Sequence, residues 1–286
     1  MAEINITTLS IEIKVFQTSY FVIALFGAAS NVLLLIALVK DPLKCFRNSG
    51  TYLIVNLSIS DFLTCACVPF FLHSIVIAGL DQVVKLFVVS FGNVSFISIA
   101  SISIDRFLLV AYPLKHREII NGCRIMILWL SGIWLSGCAL PTLHLFYGHE
   151  RTNMLAIYCF GTSVILYSVV MYAITYLTLK KHSKNIAQQN SIESRAQEIR
   201  ILKEKKFLKT IILIACIALF CTVSSMIYFP VNDSLQFSNN SLASVIFHKL
   251  LIQIFYINFA INPLIYVARL PNYRKTFYLI YFKRRF

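Results

Sequence analysis

Four ionisable residues stand within or at the edge of long apolar stretches: Asp61, Asp105, Arg106 and Glu204. An ionisable side chain in a hydrocarbon environment costs about 2.5–3.5 kcal/mol on insertion scales, so one that is kept there is expected to have a use. Asp61 follows Asn56-Leu57-Ser58-Ile59-Ser60, and other apolar stretches carry their own amide or hydroxyl: Asn31, Asn93, Ser95, Asn258 and Asn262. A carboxylate surrounded by amide and hydroxyl oxygens suits a hard cation such as Na⁺. The alternative is interhelical hydrogen bonding, worth about 0.6 kcal/mol per contact. Such bonding needs no charge, which favours a functional role for Asp61, whereas for each Asn alone it is sufficient.

Asp105-Arg106-Phe107 lies where an apolar stretch gives way to polar sequence. An acid at the C-terminal end of a helix opposes the helix dipole, so Asp105 is not a cap. Adjacent residues do not share a helix face. The spacing therefore predicts that Arg106 looks across to another helix, where Glu204 is the acid at the same depth. A snorkelling interfacial arginine is the alternative. In Asn262-Pro263-Leu264-Ile265-Tyr266, Pro263 removes a backbone donor and predicts a kink. Asn262 is expected to satisfy a backbone group freed by it, although a simple structural kink explains the run as well.

These residues need elements to position them, and composition names the kind. The chain has 286 residues, of which 58% are hydrophobic and only 13% charged; soluble domains carry about 45–50% apolar and about 25% charged residues. A spanning helix needs about 20 mainly apolar residues. Seven stretches qualify, near 15–39, 51–77, 85–112, 125–146, 155–179, 207–229 and 244–267. They are too long for barrel strands and lack the two-residue alternation of strands. The expected fold is an all-α membrane protein, a single seven-transmembrane-helix bundle over residues 1–286. Residues 1–14 form the extracellular N-terminus, and 268–286 a short cytosolic amphipathic helix that begins near Pro271. In that helix Tyr273, Phe277 and Ile280 are expected at the membrane interface, with Arg274, Lys275, Lys283, Arg284 and Arg285 towards lipid headgroups.

The net charge of +14 follows the same path. Along an odd number of spans, twenty-two of the 26 Lys and Arg fall on one side; Lys14, Lys85, Arg151 and Lys249 fall on the other. The positive-inside rule places the N-terminus outside and the C-terminus in the cytosol. The basic excess is thus a topology signal facing membrane lipids, and a nucleic-acid partner is not needed to explain it. No cleavable signal peptide is expected, since the first apolar run is long enough to span. Asn5-Ile6-Thr7 is a glycosylation sequon on an outer segment, as are those at Asn232 and Asn239. The eight cysteines do not form a disulfide framework, because most lie inside apolar runs and act as small packing residues.

Enzyme chemistry has no footing. The six histidines are scattered without metal-ligand spacing, and there is neither a Gly-x-Ser-x-Gly elbow nor a phosphate-binding glycine loop. The protein is expected not to be an enzyme. A transporter would show matched halves, broken helices or rows of intramembrane charge, so a small transporter or channel is a distant alternative.

In order along the chain, the motifs resemble those of rhodopsin-like (class A) G-protein-coupled receptors: Asn31; Leu57-Ser58-Ile59-Ser60-Asp61; Asp105-Arg106-Phe107 with Pro113 following; Trp134, or less well Trp129; Tyr172; Glu204; and Asn262-Pro263-x-x-Tyr266. The resemblance covers essentially the whole chain. It implies a receptor that binds an extracellular ligand between its helices and activates a heterotrimeric G protein. Its activation switch would comprise Asp105, Arg106, Phe107, Tyr172, Glu204, Asn262, Pro263 and Tyr266. Asp105 and Glu204 would hold Arg106 at rest. Agonist would move the sixth span outward, and Arg106, Tyr172 and Tyr266 would regroup around the G protein. Asp61, Ser95, Asn258 and Asn262 match the family's sodium pocket. Alternatives are a protein of the same fold that is non-signalling or constitutively active.

The departures sit mainly away from the switch residues, apart from Phe107, which replaces the tyrosine of the third-span motif and is a milder change. Asp81 replaces the cysteine that would pair with Cys159. The sixth span has Cys221-Thr222-Val223-Ser224 in place of Cys-Trp-x-Pro, and Val164 replaces a fifth-span proline. Tyr256 stands where a retinal-bearing lysine would be, so no retinal is expected. Val88 stands where the acid of amine receptors would be, so an amine ligand is not expected. The implied ligand pocket comprises Phe71, Lys85, Val88, Val89, Gly92, Ser225, Met226, Phe229, Ile252 and Tyr256. It is mostly apolar, as ligand pockets usually are. Lys85 and Lys249 near its mouth would either meet an acidic group on the ligand or snorkel to the interface.

Overall fold

A computed structural model describes the backbone of residues 6–74, 80–120, 123–147, 150–187, 192–237 and 242–282; several stretches, among them 6–15, 70–74, 144–147, 150–155 and 225–237, are described by backbone alone. Among the described residues there are nine helices and no strand: α1 (Ile6–Lys40), α2 (Ser49–Ser74), α3 (Leu80–Ala111), α4 (Pro113–Ile119), α5 (Cys123–Tyr147), α6 (Glu150–Ala187), α7 (Ile192–Phe237), α8 (Leu242–Arg269) and α9 (Pro271–Tyr281). Six of them, α1, α2, α3, α5, α6 and α7, each contain a stretch long and apolar enough to cross a bilayer. The 28-residue α8 joins α9 through a bend of 98°. Helices are the expected solution, because in lipid every backbone donor and acceptor must be satisfied within the segment.

The observed helices outrun the apolar windows. The sixth begins at Glu150 and ends at Ala187, and the seventh begins at Ile192, so most of the polar 180–209 stretch is helix rather than linker. A hydropathy window reads only the part in hydrocarbon, whereas the hydrogen-bond ladder continues into water. The short α4 was not anticipated. Pro113 opens it at a position where the missing donor is not needed.

The packing centres on α3, which lies against α2, α5 and α6, while α8 closes the ring against α1 and α7. Where α3 meets α5, a side-chain carbon on Gly137 would lie 2.5 Å from Val94 Cγ2 and 3.0 Å from the Val94 nitrogen. A small residue is what allows two backbones to approach so closely. The core holds Leu53, Ile54, Ile99, Ile165, Ile211 and Phe259, all essentially inaccessible.

Between α1 and α2 the chain turns tightly, with Asp41 and Lys44 at φ of 32° and 49°. The Asp41 carboxylate accepts the backbone N–H groups of Cys45 and Phe46 at 2.9 and 3.1 Å. Asn48 then caps α2, its Oδ1 accepting the Thr51 N–H at 3.0 Å.

The amphipathic α9 corrects one expectation. Tyr273 is not at the lipid interface: it is buried, with its ring 4.6 Å from that of Phe46 and 5.6 Å from that of Tyr266. The Tyr281 hydroxyl donates to the Leu33 carbonyl at 2.7 Å, tying α9 to α1.

Candidate functional site

At one end of the bundle, α2, α3, α4, α7 and α9 surround a cleft of ≈ 700 Å³, lined in part by Arg106, His116, Glu204, Phe207 and Tyr273. Asp105 is fully buried and Arg106 nearly so. Arg106 donates to Asp105 Oδ2 twice, from Nε at 2.9 Å and from Nη2 at 2.6 Å. Its Nη1 reaches Glu204 Oε2 at 3.5 Å, and its Cζ lies 4.8 Å from the centroid of the Phe207 ring. The contact with Glu204 across to α7 agrees with the spacing argument. The tight contact with Asp105 does not: the facing rule treats side chains of helix-surface length, whereas the long arginine folds back along its own helix to reach its neighbour. The second carboxylate oxygen, Oδ1, meets His116 Nε2 at 2.9 Å. His116 was missed because its only signal is its place eleven residues after Asp105, in the short helix α4 that the sequence did not announce.

Other expected switch residues lie close by or just above. Tyr172 is inaccessible, and its hydroxyl donates to the Ile99 carbonyl at 3.0 Å. Tyr266 is also inaccessible; its hydroxyl lacks a hydrogen-bond partner among the described residues, and its ring stacks on Tyr273. Phe107 is half-buried and Pro263 buried. Cys45 lines the cleft, but burial, and secondarily the Asp41 carboxylate, push its thiol pKa up, so it is not a reactive thiolate.

A second polar cluster occupies mid-bundle. The Ser95 hydroxyl donates to Asp61 Oδ1 at 2.5 Å, and Asn262 Nδ2 donates to Asp61 Oδ2 at 2.7 Å. Asn262 thus serves the carboxylate rather than a backbone group freed by Pro263. A buried carboxylate is the costlier group to leave without donors. Asn258, one helical turn earlier, is inaccessible, and neither polar atom of its amide has a partner among the described residues; the same holds for Asn262 Oδ1. A carboxylate with unpartnered amide oxygens fits a small hard cation such as Na⁺. Among the described residues no three of His, Cys, Asp and Glu converge on a metal site.

Two further polar links set helix spacing. Asn31 Nδ2 donates to the Phe259 carbonyl at 2.9 Å, joining α1 to α8. Asn56 Nδ2 donates to Ser98 Oγ at 2.8 Å while Trp134 Nε1 donates to Asn56 Oδ1 at 2.8 Å, joining α2, α3 and α5.

Towards the other end, Val88, Val89, Gly92, Asn93, Phe96, Ile157, Thr222, Phe255 and Tyr256 enclose a cavity of ≈ 40 Å³. Four of them, Val88, Val89, Gly92 and Tyr256, were expected. Lys85 is half-buried outside this lining. The side chains of Phe71, Ser225, Met226, Phe229 and Ile252 lie outside the described residues, as do Asn5 and the side chain of Lys249. Sequence reasoning missed Phe96 and Phe255, whose rings are 6.1 Å apart; aromatic residues in an apolar chain carry no distinguishing signal. The described Cys159 is exposed and unpaired.

A profile of the seven-transmembrane receptors of the rhodopsin family matches residues 30–266. The chain belongs to that family. It is a multi-pass membrane protein of a receptor family rather than an enzyme family. A Caenorhabditis elegans protein named as a neuropeptide Y receptor is 29% identical over 133 residues, 41% of this chain and 31% of its own length. The alpha-1A adrenergic receptor of Oryzias latipes is 25% identical, over 88% of this chain and 63% of its own. The substance-K receptor of Bos taurus is 24% identical, over 94% of this chain and 78% of its own. The chain therefore spans less than two thirds of the length of the first two of these relatives.

Proposed function

We propose that this chain is a cell-surface receptor of the plasma membrane that binds an extracellular ligand between its helices and activates a heterotrimeric G protein. Its N-terminus faces outside and its C-terminus the cytosol, in keeping with the distribution of Lys and Arg. The observation that carries the reading is the Arg106 pair with Asp105 and Glu204 at the mouth of the ≈ 700 Å³ cleft. Arg106 is paired on one side to its own helix and on the other to α7. Separation of α7 from α3 breaks the longer, 3.5 Å contact first and opens the cleft to a partner helix. Ligand and G protein both favour the open state, so each raises the affinity for the other.

Asp61, Ser95, Asn258 and Asn262 would hold Na⁺ in the closed state, where the ion neutralises the buried carboxylate. The ligand is neutral or acidic and partly apolar. The wall described around Val88 offers no carboxylate to an ammonium group, so an amine of the kind named for the adrenergic relative is not expected, and peptide ligands of the kind named for others remain open to the screen. Arg106→Ala tests the reading: G-protein activation is lost while the surface level stays normal. Unchanged activation in that variant rejects the mechanism. A ligand screen with a promiscuous G-protein readout and a ligand-free baseline identifies the agonist class.

A further inference from the structure

Two residues outside all of the motifs above govern where Arg106 can sit. The first is Gly50, in the first turn of α2. A side-chain carbon at this position would stand 1.9 Å from Arg106 Nη2, 2.7 Å from Cζ and 3.3 Å from Nε. The guanidinium thus fills the space that the Cβ of any other residue would take. The two nitrogens on that side, Nη2 and Nε, are the ones that donate to Asp105 Oδ2. A methyl group at position 50 is accommodated most cheaply by moving the flexible end of Arg106, and that movement breaks both of these bonds.

The second is His116, buried in α4. Its Nε2 lies 2.9 Å from Asp105 Oδ1 and 3.4 Å from Ser49 Oγ. Because a carboxylate only accepts, Nε2 carries the proton in this arrangement. With Oδ1 engaged by His116, the carboxylate cannot rotate, and Oδ2 is presented to Arg106. Ser49 and Gly50 are adjacent, so the first turn of α2 touches both halves of the cluster.

We propose that Gly50 and His116 are positioning residues that set the closed state from α2 and α4: His116 orients Asp105, and the absent side chain of Gly50 admits Arg106 to it. The inference rests on the reading of the Arg106–Asp105 pair as a restraint on coupling. The level of ligand-free signalling is then tuned at the cytosolic end of α2, far from any ligand, by the size of one side chain.

The test uses the full chain in phospholipid nanodiscs with a promiscuous G protein, measuring ligand-free nucleotide exchange per folded receptor. The variants are Gly50→Ala, His116→Leu, His116→Gln, Asp105→Asn, and Gly50→Ala combined with Asp105→Asn. Gly50→Ala and His116→Leu each raise ligand-free activation about fivefold, the low end of ordinary allosteric coupling. His116→Gln, which keeps an N–H donor, returns towards the parent level. The double variant is no more active than Asp105→Asn alone, because both changes act on one pair. Purely structural damage would instead lower the folded amount without raising exchange per receptor. If Gly50→Ala does not fold, the two His116 variants decide the matter. Parent-level activity in Gly50→Ala and His116→Leu alongside raised activity in Asp105→Asn overturns the positioning role alone, as does additivity in the double variant. Parent-level activity in Asp105→Asn overturns the restraint reading and this inference with it.

Discussion

The two ends of the bundle are built on different physics. At the Arg106 end, buried charges answer one another: Asp105 has both oxygens occupied, by Arg106 and His116, and Glu204 reaches Arg106 from α7. Arg106, His116 and Glu204 also line a cleft of ≈ 700 Å³. At the opposite end, the described cavity is ≈ 40 Å³ and its wall is mostly apolar and aromatic. The larger departures from the family pattern, at Asp81, Val164 and Cys221-Thr222-Val223-Ser224, lie outside the Arg106 cluster, where the one change is the milder Phe107. The contrast teaches that directional, charged contacts tolerate few partners, whereas apolar walls can be rebuilt with other side chains of similar volume.

The contrast can be broken by substitutions of graded size. The largest effect is expected from Asp105→Leu, which leaves a buried guanidinium with the distant Glu204 contact and the Phe207 ring as its remaining partners. Removing one partner of a buried pair costs about 3–5 kcal/mol, read as a loss of thermal stability in detergent. A loss below that of a substitution in the opposite cavity such as Val89→Ala would show that the buried charges around Arg106 do not anchor the fold. Next is Asn56→Ala, which severs α2 from Ser98 and from Trp134 at once. Leaving buried groups unpaired costs about 1–3 kcal/mol, and the same melting assay reads it. For the mid-bundle cluster, sodium at about tenfold above its dissociation constant is expected to stabilise the parent by about 1.4 kcal/mol. Asp61→Asn abolishes this sodium dependence, with potassium as the control for ionic strength. The smallest is Tyr281→Phe, which removes one hydroxyl bond between α9 and α1. A cost of about 0.6 kcal/mol is expected; a much larger one would place α9 among the anchoring elements.

Much of this was legible in the sequence because hydrocarbon makes charge conspicuous. Asp61, Asp105, Arg106 and Glu204 stood out in a chain only 13% charged. Asp61 does meet Ser95 and Asn262, and Arg106 does reach Glu204. What was not legible depended on contact across distant segments. Nothing about Gly50 or Ser49 in a polar loop indicates that α2 begins against Arg106. Tyr273 looked interfacial because a helix drawn alone shows its apolar face but not the neighbour that covers it. The closeness of Asp105 to Arg106 was implied by the family resemblance alone, because the rule about helix faces argued against it and a long flexible side chain escapes that rule. The cavity lining of Phe96 and Phe255 was lost among the 23 phenylalanines of the chain.

By itself, the sequence determined the membrane class, the helical state, and which apolar runs are flanked by basic residues. These follow from local quantities, namely the length of an apolar run and the sign of the charge beside it, and the bilayer imposes them on any chain of this composition. Only the tertiary structure decided which polar groups meet. Whether Asn262 answers Pro263 or Asp61, and whether Arg106 lies against Gly50 or in the headgroups, depends on how seven helices are rotated and spaced against one another. That arrangement is settled by packing many side chains at once, which no single stretch of sequence carries.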